Sequence, residues 1–365
     1  MAGIYVHIPF CHSKCAYCDF YSLANTGRMV DFAGALSREW EARRHELGDS
    51  VVRTVYFGGG TPSILPPDSF RTIAALFPLE SVEEFTIEVN PEDVSPANAS
   101  VWKSAGVNRV SMGVQSLVDA ELRDVGRRHD AAQALNAVEC LLASGITNIS
   151  CDLIYGLPGQ TCDSWQTSLD GLLATGISHL SAYCLSYEPG TRLDRMRRQG
   201  RVAETDEDTL AQMYAMLCRA ARVHGFDHYE ISNFGRPGCH SMHNCSYWNG
   251  TPYLGLGPGA HSLGADGVRR YVRSDIKAYL SAPSDVLAID EETHTDRLND
   301  AILTGLRTSA GLDTAALSDK ERAALQKNAA AHLRAGNLTA DGSCLRVPED
   351  RWLMCDAVIR DLFFD

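Results

Sequence analysis

The chain has 365 residues, 45% of them hydrophobic, with 33 basic against 46 acidic side chains and a net charge of −13. That length suits one large α/β domain plus a smaller companion, and the acidic balance argues against a surface built to grip nucleic-acid phosphates. No apolar run is long enough to span a bilayer, and the first residues lack a basic-then-apolar signal pattern, so a cytoplasmic location is expected.

Short apolar runs then alternate with longer amphipathic stretches. Strands are expected over Gly3–Ile8, Thr54–Phe57, Glu84–Val89, Arg109–Val114, Ile149–Ile154 and His179–Leu185. Helices are expected between them, over Met29–Glu46, Pro67–Leu76, Pro96–Ala105, Ala131–Ser144 and Thr161–Ala174. Pro96 suits a first helical turn, and Gly106 and Gly145 sit where C-caps belong. Strands alternating with helices predict successive βα units around a parallel sheet. The fold class is therefore α/β. The strand count favours a partial (β/α)6 barrel, while an open doubly wound sheet satisfies the same periodicity. No Gly-x-Gly-x-x-Gly follows the first strand, which weakens a dinucleotide-binding reading. Instead a cysteine cluster follows it. This trio, Gly58–Thr61, Glu88, Gln115 and Asp152 all fall near or just after strand ends, where parallel α/β barrels gather their chemistry.

Beyond residue 230 the pattern changes. Residues 231–295, and Ile231–Gly264 above all, are rich in Gly, Pro, His, Asn and aromatics and are expected to form an irregular connecting region. Residues 296–365 are expected to form a small α+β winged-helix-like domain that covers or docks. Its parts are helices Arg297–Ser309 and Ser318–Ala335, a hairpin Leu338–Val347 turning at Asp341-Gly342, and a last helix Glu349–Leu362. With the barrel over 1–230, three segments result. The basic run Arg192–Arg198 reads as a solvated helix face.

Of the 12 cysteines, nine are scattered and three form Cys11-x-x-x-Cys15-x-x-Cys18. Three soft thiolates suit an iron–sulfur cluster or zinc. Structural zinc needs a fourth protein ligand, which here would be His7, His12 or a distant cysteine. Three thiolates on one short loop suit a cubane with one iron open to the amine and carboxylate of a small molecule.

At these residues the chain resembles the radical SAM superfamily, whose signature is this C-x3-C-x2-C loop with an aromatic, here Tyr17, before the last cysteine. The resemblance implies a [4Fe–4S] cluster on Cys11, Cys15 and Cys18. It also implies S-adenosylmethionine (SAM) chelated at the fourth iron and cleaved by one electron to a deoxyadenosyl radical. Further blocks resemble the oxygen-independent coproporphyrinogen oxidase branch: Ile4–Cys11, Tyr56–Ser63, Ile87–Pro91, Met112–Ser116 and Asp152–Gly159. In that branch the positions matching Tyr5, Gly59, Gly60, Thr61, Glu88, Gln115, Arg127, Asp152 and Ser186 contact SAM. These residue types suit the task. Glycines let backbone approach a ligand closely, Glu88 offsets the sulfonium charge, Gln115 and Asp152 bond ribose or adenine, and Arg127 pairs with a carboxylate. A Gly-rich turn and a solvated Arg127 are the plainer alternatives.

Two features separate the chain from the oxidase and resemble the HemW-type heme chaperones. Cys18-Asp19-Phe20 lacks the oxidase's further cysteine, and the first strand begins at residue 3 without the oxidase's N-terminal extension. A third is His243-Asn244-Cys245-Ser246-Tyr247-Trp248, which matches the H-N-x-x-Y-W motif associated with heme in that group. His243, in a Gly/Pro-rich loop, is thus the expected axial ligand, with Cys245, His240 and His261 as rivals. The resemblance implies a heme chaperone that delivers heme to an acceptor such as a respiratory protein, related to the oxidase but without its decarboxylation. The oxidase activity itself, or another porphyrin-directed radical reaction, is the alternative. Further expected partners are a flavodoxin- or ferredoxin-like electron donor, membrane proteins approached peripherally, and a second copy docking around an exposed Tyr/Trp-rich loop. Nucleic acid is not among them.

Overall fold

The computed structural model describes residues 1–24 and 26–364; Asn25 and Asp365, inside the expected first and third segments, lie outside that description. Six strands run parallel, each paired with the next in chain order: β1 (Ala2–Ile8), β2 (Val52–Gly59), β3 (Glu84–Val89), β4 (Arg109–Gln115), β5 (Asn148–Tyr155) and β6 (His179–Cys184). The intervening helices are α1 (Met29–Arg43), α2 (Pro67–Ala74), α3 (Pro96–Ser104), α4 (Asp119–Asp124), α5 (Ala131–Ala143) and α6 (Cys162–Leu173). Local chemistry fixes where several begin. Ser95 caps α3, and capping boxes open α5 (Asp130 with Gln133) and α6 (Thr161 with Ser164).

Side chains on the six strands alternate between two environments. Ile4, Val6, Ile8, Val55, Phe57, Phe85, Ile87, Val110, Met112, Ile149, Cys151 and Leu180 share one core with Phe32, Leu36, Phe70, Val138, Leu141 and Trp165 of the helices. Each large apolar side chain buried there contributes about 1.5–3 kcal/mol. The opposite set is polar: Tyr5, His7, Thr54, Tyr56, Glu84, Glu88, Arg109, Ser111, Ser150, Asp152, His179 and Ser181. Its members face the barrel interior and bond to one another, as in Tyr56–Glu88, Ser111–Asp152 and Ser150–His179. Sheets covered on both sides normally carry near-continuous apolar strands. Strict alternation marks a barrel whose lumen is chemical.

After β6 come α7 (Arg192–Arg198), α8 (Glu207–Val223), β7 (Asp227–Glu230), β8 (Asn233–Gly235) and α9 (Met242–Asn249). They are followed by β9 (Tyr253–Leu256), β10 (His261–Leu263), β11 (Arg269–Val272), α10 (Ile276–Ser281) and β12 (Leu287–Ile289). Residues 231–295 are therefore not irregular. Among the described residues, the sheet order is β12-β11-β10-β9-β1-β2-β3-β4-β5-β6-β8-β7, so the segment supplies five strands, four of them beyond β1 and one beyond β6. β9 lies parallel to β1, with Gly3 opposite Tyr253 and Val6 opposite Leu256. The ends of this order do not pair, which leaves the barrel open. Glycine content misled the sequence reading because the glycines serve a crossing. A Cβ at Gly255 would strike the His261 carbonyl, and one at Gly257 the His7 carbonyl.

The chain closes with α11 (His294–Leu306), β13 (Leu312–Asp313), α12 (Asp319–Ala335), β14 (Thr339–Asp341), β15 (Cys344–Arg346) and α13 (Cys355–Leu362). The three strands form an antiparallel sheet in the order β13-β15-β14. This unit is fastened to the β7–β8 hairpin. The Ile231 amide donates to the Arg307 carbonyl (3.1 Å), the Ser309 amide to the Tyr229 carbonyl (3.0 Å), and buried Trp352 meets the His228 ring edge-on at 4.1 Å. Among the described residues, no helix is long and apolar enough to cross a membrane.

Candidate functional site

The cysteine loop leaves the C-terminal end of β1 and is pinned at both ends. The Cys11 amide donates to the Leu23 carbonyl (3.0 Å) and the Leu23 amide to the Pro9 carbonyl (2.9 Å). In mid-loop, the Ala16 amide donates to Val125 O (2.9 Å) and its carbonyl accepts from the Leu193 amide of α7 (2.7 Å). Tyr17 packs on a small apolar cluster of Val125, Ile154 and Leu157, separate from the main core. Cys11 is buried and Cys15 and Cys18 half-buried; burial pushes the Cys18 thiol up to about 11. No three His, Cys, Asp or Glu side chains among the described residues converge as ligands of a single metal ion would. A cubane asks for a different arrangement, because each thiolate binds its own iron.

All three cysteines line one cavity of about 460 Å³ at the C-terminal ends of the strands. Tyr17, Gly59, Gly60, Thr61, Glu88, Gln115, Arg127, Asp152 and Ser186 line it too, so nine of the eleven other expected residues meet there and two, Tyr5 and His243, do not. The walls follow from local geometry. Gly60 turns against the cysteine loop: its amide donates to the Ile8 carbonyl (2.8 Å), and a Cβ there would stand 2.5 Å from the Phe10 carbonyl. Gln115 has φ +69°, the one non-glycine positive φ among the described residues, at a register shift between β4 and β5. Such a bulge re-aims a side chain at some cost in strain, a common device at functional sites.

Arg127 is held by three acceptors: Cys15 Sγ (3.5 Å from Nη1), and Asn90 Oδ1 and the Gly113 carbonyl (2.7 and 2.5 Å from Nη2). Its Nε is buried without a partner, which leaves one donor for a ligand or a water. Arg127 is therefore not a solvated side chain. Glu88 accepts from the Tyr56 hydroxyl (2.8 Å) and the Gly59 amide (3.0 Å). Burial nevertheless pushes its carboxyl up to about 7, with nearby Asp152 adding to the rise. Burial likewise lifts Asp152 to about 6, against hydrogen bonds from Ser181 and Ser111. Two carboxyls destabilised as anions in a lined cavity form a receptor for a cation, whose arrival restores their charge. Thiolates on one wall and a glycine cradle with paired carboxyls on the other fit a cluster with a chelated sulfonium nucleoside.

Sequence reasoning missed Asn90, Ser111, Tyr183 and Cys184, which also line the cavity. Ser111 was legible in the strand alternation, and Asn90 stands inside the quoted Ile87–Pro91 block.

Tyr5 and His243 lie elsewhere. Tyr5 is half-buried, its hydroxyl 3.1 Å from His7 Nδ1, and it lines a second cavity of about 430 Å³ with Phe20, Tyr21, Tyr247, Tyr253 and His261. His243 is on a helix, not an open loop, and is fully buried. Its Nδ1 shares a hydrogen bond with Thr54 Oγ1 (2.8 Å) and its Nε2 with the Tyr247 hydroxyl (2.9 Å), while its ring stacks on Tyr56 at 5.1 Å. Glu84 accepts from the Met242 and His243 amides (2.9 Å each) and so anchors the helix start. Burial, reinforced by Arg109, depresses the imidazole to about 3. In this arrangement His243 does not fit an iron ligand, since neither nitrogen has a free lone pair facing open space. Tyr247 and Trp248, expected in an exposed aromatic loop, are instead half-buried on the same helix.

Residues 5–171 match the radical SAM superfamily and residues 293–353 the HemN C-terminal domain. The chain is 36% identical over 330 residues to the heme chaperone HemW of Lactococcus lactis, covering 88% of this chain and 86% of that one. It is 36% identical over 376 residues to the heme chaperone HemW of Mycobacterium tuberculosis, covering 99% and 94%. Among solved structures, coproporphyrinogen III oxidase (HemN) from Escherichia coli superposes with a TM-score of 0.84 at 21% identity, over 99% of this chain and 90% of that one. That likeness establishes the partial-barrel fold alone. By full-length similarity the chain belongs to the HemW heme chaperone family of radical SAM proteins.

Proposed function

We propose that this chain is a cytoplasmic heme chaperone that binds heme and hands it to an acceptor protein, such as a respiratory enzyme, beside a cluster and SAM. Cys11, Cys15 and Cys18 would hold the [4Fe–4S] cluster, and such a cluster supplies one low-potential electron to a ligand chelated at its open iron. The chain's own residues do the rest. Gly59 and Gly60 bring backbone against the ligand, Glu88 and Asp152 offset its positive charge, Arg127 meets its carboxylate, and Tyr17 holds the loop shut. A flavodoxin- or ferredoxin-like protein would deliver the electron.

The single observation that carries this reading is the full-length similarity to heme chaperones, at 36% identity. Agreeing with it, the position where the oxidase has a further cysteine is Phe20, a side chain that lines both cavities. The test is anaerobic and parallel: protein with reconstituted cluster, SAM and reductant receives either coproporphyrinogen III or heme. The expected result is about one heme per chain, transferable to an apo-acceptor, without decarboxylation. Catalytic formation of protoporphyrinogen would refute the chaperone reading in favour of the oxidase. Cys15→Ala is expected to lose the broad visible iron–sulfur absorbance, and a full cluster signal in that variant would refute the ligand set.

A further inference from the structure

The loop that carries the three cysteines is fastened to a cationic helix that the site itself does not use. The Leu193 amide of α7 donates to the carbonyl of Ala16, the residue after Cys15 (2.7 Å). Leu193 and Asp194 are buried, whereas Arg192, Arg195 and Arg198 recur at helical spacing and are exposed. From Arg192 to Arg201 there are five arginines and one acidic residue, Asp194, in a chain whose net charge is −13. Ion pairs account for two of the five: Asp194 holds Arg197 and Arg198 (3.0 and 2.9 Å), and Glu204 also meets Arg197. Arg192, Arg195 and Arg201 have no carboxylate partner among the described residues. Arg195 Nη1 donates to the Gly190 carbonyl (2.8 Å), and the Arg201 amide donates to the Met196 carbonyl (2.9 Å), which folds Arg201 back onto the helix. The acids that follow, Asp206, Glu207 and Asp208, belong to the start of α8, where Asp206 caps Thr209. Exposed Lys14, on the cysteine loop, is likewise without a carboxylate; its Nζ donates to the Phe20 carbonyl (2.9 Å).

Resting on the cluster reading above, we propose that the arginine face of α7 is the docking surface for a small acidic protein that carries one low-potential electron. Arg192, Arg195 and Arg201 are its contacts. An acidic partner is repelled by most of a chain at −13, so where it settles depends on local charge. At physiological salt the Debye length is about 8 Å, and only cations close to the contact then count. Unpaired arginines supply them without first breaking an ion pair of their own. Complementary charge of this kind orients the encounter and speeds it more than it tightens it, which suits a carrier that must leave after one transfer. The place is also right for the chemistry. A partner seated on the outer face of α7 stands about one helix diameter, ~10 Å, from the loop of thiolates. The step is a single electron transfer: the carrier is oxidised by one electron and the cluster on Cys11, Cys15 and Cys18 is reduced by one, with no bond made or broken. A basic run that looks in sequence like a solvated face thus acquires a partner from its place in the fold.

The test uses the full-length protein with its cluster reconstituted, and flavodoxin as the acidic carrier. Reduced flavodoxin is mixed with the protein anaerobically, and bleaching of the cluster absorbance gives the rate. The wild-type rate should fall by about tenfold as salt rises from about 20 to about 300 mM. The double variant Arg192→Glu, Arg195→Glu should be about tenfold slower at low salt and should bind oxidised flavodoxin about tenfold more weakly by calorimetry. Arg192→Lys with Arg195→Lys keeps the charge and should keep the wild-type values. Reduced methyl viologen, a small cation that needs no docking surface, should reduce the glutamate variant no more slowly than the wild type. If the glutamate pair proves insoluble, Arg192→Gln with Arg195→Gln is read in the same way. A variant with the wild-type flavodoxin rate and affinity overturns the inference, and so does one that is equally slow with methyl viologen. Phosphatidylserine vesicles that bind the wild type but not the variant, with the flavodoxin rate unaltered, would overturn it in favour of a membrane surface. If methyl viologen reduces no cluster in the wild type, the cluster reading fails first and this assignment with it.

Discussion

Glu88 is expected to weaken the fold for as long as the cavity holds no cation, and Glu88→Gln makes that cost measurable. In the unfolded chain the carboxyl ionises at its ordinary 4.5; in the folded chain burial holds it near 7. Below pH 4.5 both states carry the proton and the group contributes nothing to pH dependence. Between pH 4.5 and 7 the unfolded chain releases its proton while the folded chain keeps it, so stability falls as pH rises, and above 7 the penalty is complete. The 2.5-unit difference between 4.5 and 7 corresponds to roughly 3 kcal/mol. Glutamine keeps one of the two bonds to Tyr56 and Gly59 and forgoes the other at about 1 kcal/mol, a loss that does not vary with pH. The stability difference between variant and wild type should therefore move by about 3 kcal/mol in the variant's favour between pH 4.5 and pH 8. For a chain of this size that is roughly 4 °C in melting temperature. The assay is thermal unfolding of both proteins across that range without added SAM. A difference in melting temperature that stays flat with pH would refute the buried-carboxyl argument. Addition of SAM should then reverse the ranking at pH 8, because only the wild type offers the cation a charge.

Two further substitutions separate structure from ligand binding. His243→Ala removes a buried ring and strands the Thr54 and Tyr247 hydroxyls; it should cost about 3 kcal/mol before any heme is present, and an unchanged melting temperature would mean the helix is easily displaced. Gln115→Gly relieves a left-handed backbone and should raise stability by about 1 kcal/mol while SAM affinity, measured by calorimetry, falls; a variant that binds SAM as tightly as wild type would remove Gln115 from the site.

The six parallel strands and their helices were legible because each spans enough residues for a period to emerge and most are punctuated by caps or turn glycines. The expected Glu84–Val89 strand coincides with β3, and Ala131–Ser144 overshoots α5 by one residue. α8 was legible but passed over: Asp206 caps it, and Met213, Tyr214, Leu217 and Ala221 recur at helical spacing. What defeated sequence reasoning was short structure held by tertiary contacts. β8 and β10 have three residues each, too few for alternation to register. α9 contains Asn, Ser, Cys and aromatics with weak helical preference, and it forms because Glu84 from β3 takes its first amides. The same contact explains the misplacement of His243. A histidine among Gly, Pro and Asn reads as exposed unless the carboxylate that draws its helix into the barrel is known. The cysteine loop and the cavity it lines, by contrast, were written in contiguous blocks at strand ends, and the fold had only to bring those ends together.

The parallel pairing of β9 with β1 has a consequence for biosynthesis. Gly3 waits for Tyr253, so one flank of the first strand stays without its hydrogen-bonding neighbour until some 250 later residues have left the ribosome. Pairings of such long sequence separation form late and leave sticky strand edges exposed meanwhile. The cysteine loop hangs from that same strand, but the residues lining its cavity run only to Glu188 and its main-chain partners to Leu193, so its walls precede the pairing with β9. Iron delivered before Leu193 has emerged would meet three thiols on an unsupported loop, while the open flank of the first strand stays exposed for some sixty residues more.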